Sequence, residues 1–117
     1  MDGSVFVTRS LHKNEQGYFG CKAAFVKSGA FDAFNQMFTI ALADYPQVRE
    51  VAQEMEIIDQ MNLDCLSTED FRIVVRELDR FFMNLNNATP LQNLARRVWQ
   101  ENVFPLVLED PRYLPRQ

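Results

Sequence analysis

At 117 residues, 47% of them apolar, the chain is long enough to form one domain burying about two thirds of its unfolded surface, and too apolar for disorder. A net charge of −4 and a pI near 4.9 speak against nucleic acid or an anionic membrane as a direct partner, because phosphates are met by Lys and Arg. No apolar run approaches the ~20 residues of a membrane span, and Met1-Asp2-Gly3-Ser4 lacks signal-peptide character, so the cytoplasm is the expected location.

Residues 1–28 read two ways. Val5-Phe6-Val7-Thr8 favours a strand, 12–17 a turn, and Tyr18-Phe19-Gly20 resumes apolar character, which suits a hairpin pairing 5–11 with 18–26. Lys22, Ala23 and Ala24 suit a helix equally well.

Beyond Gly29 the pattern turns helical. Phe31, Phe34, Met37, Phe38, Ala41 and Leu42 fall on one stripe of a helix over 30–43, with Ser28 placed to cap it. It should stop near Asp44-Tyr45, before Pro46, and Pro46 suits the first position of a second helix over 46–62. Val48, Val51, Met55, Ile58 and Met61 form the apolar face of that helix.

Ser67-Thr68-Glu69-Asp70 resembles a capping box opening a third helix over 68–84, striped by Phe71, Val74, Val75, Leu78, Phe81, Phe82 and Leu85. Thr89-Pro90 opens a fourth by the same logic, with Leu91, Leu94, Ala95, Val98 and Trp99 inward and Pro105 as its stop. The segment from Phe104 onward reads as extended or short-turn packing. The expected architecture is mainly α: one domain, 1–117, a small bundle of about four helices, with the N-terminal β-hairpin as an addition.

Chemistry is thinly supplied. His12 is the only histidine and sits in a polar stretch that reads as an exposed loop, with no orienting partner nearby in sequence. Cys21 and Cys65 lie 44 residues apart without a CxxC, which fits two buried thiols better than a zinc site or a disulfide. No nucleophile elbow, HExxH or phosphate loop is present. Glu50 and Glu54 lie one helical turn apart, but a di-iron bundle needs further Glu and Glu-x-x-His pairs that this sequence lacks. The expectation is a protein that is not an enzyme and carries no cofactor and no metal. Arg72, Arg76 and Arg80 make a basic stripe, diluted by Glu69, Glu77 and Asp79 into a salt-bridged solvent face.

The acid is concentrated instead. Between Asp44 and Asp64 stand Asp44, Glu50, Glu54, Glu56, Asp59 and Asp64 against the single Arg49, a net −5, so the remainder of the chain nets +1. A field of one sign on one segment steers a partner of the other sign. Glu50, Glu54, Glu56, Asp59 and Asp64 are therefore the candidate partner-binding residues.

The stretch Ile57-Ile58-Asp59-Gln60-Met61-Asn62-Leu63-Asp64-Cys65-Leu66-Ser67-Thr68-Glu69-Asp70-Phe71 passes from an acidic helix end through a short turn into a capped amphipathic helix. In this it resembles the small, acidic, helical immunity proteins of bacterial contact-dependent growth inhibition systems. The resemblance implies function by binding: a cognate toxin domain, basic and usually a nuclease, neutralised by cover of its active site or a nearby surface. The alternative class is a non-catalytic adaptor or regulatory subunit that receives its partner in an apolar groove between helices. A large exposed apolar patch would favour the second.

Overall fold

The computed structural model describes the backbone of residues 2–13 and 19–113, and the side chains of 2–8 and 22–113. It corrects the expectation of a mainly helical bundle: the protein is mixed α/β, with helical segments laid over a three-stranded sheet. Strand β1 (Asp2–Lys13) pairs antiparallel with β2 (Phe19–Lys27), a hairpin longer than the 5–11/18–26 pairing. His12 therefore belongs to a strand, not to a loop; its side chain lies outside the described residues. The sheet order is β2-β1-β3, and β3 (Gln60–Asn62) runs parallel to β1 with Ser4 opposite Gln60 and Phe6 opposite Asn62.

That third strand overturns the second predicted helix. Helix α2 spans only Pro46–Ala52, followed by a 3-10 turn, Glu56–Ile58, and then β3. The free edge of β1 is the reason. Its Ser4 amide donates to the Asp59 carbonyl at 2.9 Å, and its Phe6 carbonyl accepts from the amides of Leu63 and Asp64 at 2.8 and 3.1 Å. Pairing those groups outweighs one more turn of helix, and Asp59, at φ 55°, makes the left-handed step between the two forms.

The remaining helices follow their local signals closely. Helix α1 spans Ser28–Ala41 and follows β2 without a linker, so Lys27 occupies the cap position and Ser28 is already helical. Helix α3 spans Thr68–Met83, with the Ser67 hydroxyl accepting from the Asp70 amide at 3.1 Å. Helix α4 spans Pro90–Arg97 behind a complete capping box between Thr89 and Gln92. It does not stop at Pro105: a π turn, Val98–Val103, leads into α5 (Phe104–Val107), and Pro105 falls in that first turn, where its missing N–H is tolerated. No described helix is long and apolar enough to cross a membrane.

One face of the sheet packs on the helices. Val5, Val7, Ala24, Val26 and Met61 are buried there with Phe31, Phe34 and Phe38 of α1, Phe71, Val74 and Leu78 of α3, and Trp99 of the π turn. Gly3 marks the closest crossing, since a Cβ at that position would collide with the Phe31 ring of α1. The opposite face carries Ser4, Phe6, Gln60 and Asn62, all half-buried, and the exposed Phe25.

Behind β3 the core contains a buried charge. Arg112, 8% exposed, spends all five guanidinium N–H groups on protein acceptors. Nε and Nη2 fork onto Asp110 Oδ1 and Oδ2 at 2.8 and 2.7 Å, Nη1 donates to the carbonyls of Leu63 and Leu66, and Nη2 also donates to that of Val7. The guanidinium carbon stands 3.9 Å from the centre of the Phe71 ring. A buried ion is tolerated when every donor is met, and here each is. The segment from Phe104, expected as extended or short-turn packing, thus begins with α5 and is then clasped to β1, to the turn after β3 and to α3.

Candidate interaction surface

The acidic segment is held at its base and open at its crest. Val48 and Ala52 of α2 are buried, and Gln53 Nε2 reaches α1, donating to Asn35 Oδ1 and Thr39 Oγ1, each at 2.9 Å. Asn35 Nδ2 in turn donates to Glu56 Oε2 at 3.1 Å. The 3-10 turn closes through Asp59 N to Glu56 O at 2.9 Å, so the crest is a defined shape carried on two fixed ends.

What the crest displays differs from the sequence reading. Of the apolar stripe assigned to a second helix, only Val48 and Met61 are buried; Val51, Met55 and Ile58 face solvent. Ile57 is 90% exposed and Ile58 54%. With Val51 and Met55 they make an apolar group exposed among the carboxylates of the crest. Ile57 was the overlooked residue, and a signal for it existed: it falls off the 48-51-55-58-61 stripe, among Glu54, Glu56 and Asp59.

Glu50, Glu54 and Glu56 are exposed on α2 and the turns after it, interleaved with these apolar side chains. Asp59 and Asp64 are half-buried and flank β3 at opposite ends, which separates them by roughly 15 Å of extended chain. Asp64 is thus removed from the crest; its Oδ1 accepts from Asn62 Nδ2 at 3.3 Å. Among the described residues none of these five carboxylates enters an ion pair, and neither does Arg49. Their field is directed at solvent.

The other candidates resolve differently. In the basic stripe, Arg76 Nε meets Glu77 Oε2 at 2.9 Å and Arg80 approaches Glu77 Oε1 at 3.6 Å, while Arg72 Nε donates to the Arg112 carbonyl. The hydrogen bond to the Glu77 carboxylate holds the Arg76 guanidinium above its ordinary pKa. Arg76 Nη2 also donates to the Tyr45 hydroxyl at 2.9 Å, so this is a partnered solvent face whose ion pairs go to Glu77 and not to the carboxylates of the acidic segment. Cys65, expected buried, is exposed beside Asp64, and the Cys21 side chain lies outside the described residues. Among the described residues no group of three or more His, Cys, Asp or Glu is placed to hold a metal ion.

No known family model, curated protein or solved structure matches this chain.

Proposed function

We propose that the chain is an immunity protein, a non-catalytic cytoplasmic antitoxin that binds and neutralises a basic cognate toxin domain, such as a nuclease, through the crest at residues 50–59. One observation carries this reading: the most acidic segment of the chain also bears its most exposed isoleucine. Acids alone would steer a partner without holding it. Apolar side chains among them supply the desolvated contact from which most binding energy comes.

The mixed fold removes the helical bundle from the resemblance, and the proposal rests on the surface alone. An adaptor would use an apolar patch and an immunity protein an acidic one; the crest is both, so partner identity separates the two readings. The decisive test is growth rescue. The expected result is that a toxin domain is encoded beside this chain, that expressed alone it arrests growth, and that co-expression of the chain restores it. Ile57→Asp abolishes rescue while the circular dichroism spectrum is unchanged. Failure of the unaltered chain to rescue, or to bind that domain, would refute the proposal.

A further inference from the structure

Strand β2 is the far edge of the sheet from the crest, and its hydrogen-bonding phase can be read from β1. Ser4 N and Phe6 O point towards β3, as their bonds to Asp59 and Leu63 show. Alternation along β1 then turns the polar groups of Gly3 and Val5 towards β2, where they meet Val26 and Ala24. The amides and carbonyls of Ala23 and Phe25 and the amide of Lys27 consequently point away from β1, with no partner among the described residues, while the Lys27 carbonyl caps the first turn of α1. The Phe25 side chain stands beside this row, 74% exposed. An apolar groove of about 470 Å³ runs alongside, with Val26, Ala30, Leu94 and Val98 in its lining and Arg97 and Glu101 among its charges.

A long edge of this kind pairs with something or is blunted: no proline interrupts it, and of its two lysines Lys22 is drawn to Glu109 while Lys27 stands at the strand's end. We infer that β2 pairs antiparallel with β2 of a second copy of this chain, about a two-fold axis at Phe25. The phase permits this register: Phe25 exchanges both main-chain hydrogen bonds with Phe25 of the other copy, and each Lys27 amide donates to the Ala23 carbonyl opposite it. Each Lys27 lies opposite an alanine instead of another lysine, and the two exposed Phe25 rings become cross-strand neighbours. The groove carries charges of both signs, Lys27 and Arg97 with Glu101, so under a two-fold axis Glu101 of each copy is available to the cations of the other. The product is one continuous sheet of order β3-β1-β2-β2-β1-β3. Both crests lie at its outer edges, uncovered, so the dimer presents two partner-binding surfaces.

Sedimentation of the full chain from about 1 µM to 1 mM tests this, a range that brackets weak and moderate self-association. The expected result is a concentration-dependent species at twice the 13.6 kDa of one chain. Phe25→Pro is the diagnostic variant: it removes an outward N–H and leaves the β1–β2 ladder intact, so it weakens the dimer at least about tenfold with an unchanged circular dichroism spectrum. Phe25→Cys under mild oxidation gives a disulfide-linked dimer well above the wild-type level, since residues opposed in a hydrogen-bonded pair lie about 5.5 Å apart at Cα. Ile57→Asp leaves the dimer untouched. A monomer throughout the range overturns the inference and leaves the edge to a strand from another protein. A dimer indifferent to Phe25→Pro overturns it equally.

Discussion

Two regions of this molecule are built on charge, and they use it in opposite ways. Around Arg112 every donor is spent on a named acceptor, and Asp110 is fully buried. Along the crest Glu50 and Glu54 face water, and the hydrogen bonds holding the segment come from the neutral amides of Asn35 and Gln53. A buried charge is worth what its partners make it, and removing one leaves the other uncompensated. An exposed carboxylate contributes little to folding and keeps its field for whatever approaches. The two regions divide the labour between holding the fold and meeting a partner.

The comparison breaks most visibly at the clasp. Arg112→Ala should cost about 3–5 kcal/mol in urea unfolding, because it strands Asp110 and several buried carbonyls. A loss below about 1 kcal/mol would mean that the clasp is not structural. A smaller effect is expected where the crest meets the body. Gln53→Ala deletes the donor to Asn35 and Thr39 and should lower stability by about 1–2 kcal/mol, with slower partner association as the turn loosens. The smallest effect sharpens the contrast: Glu50→Gln with Glu54→Gln should shift stability by no more than about 0.5 kcal/mol. The same pair should slow association at low ionic strength and flatten its salt dependence, measured by stopped flow. A marked stability loss there would place the acids in the fold and empty the comparison of meaning.

What could be read in advance was whatever is decided within a few residues. Ser67 and Thr89 announce α3 and α4 because a cap is bonded three residues away, and Pro46 marks the start of α2 for an equally local reason. Strand β3 was illegible because Met55, Ile58 and Met61 satisfy a helical period, while the edge that recruits Gln60–Asn62 lies more than fifty residues earlier. Arg112 was illegible for the same cause: its acceptors belong to Val7, Leu63 and Leu66, and a carbonyl leaves no trace in residue type. Of the crest, the acids were plain. Its apolar half was hidden by assigning Val51, Met55 and Ile58 to a buried face.

The clasp also sets a clock on biogenesis. The Val7 carbonyl and the Arg112 guanidinium are 105 residues apart, so roughly 5–20 s of translation separate their appearance. Through that interval the hairpin can form, but the turn after β3 has no guanidinium to collect its carbonyls. A nascent chain stalled before residue 112 would carry both edges of the sheet without its fastening, and ribosome-bound chaperones would meet it in that form.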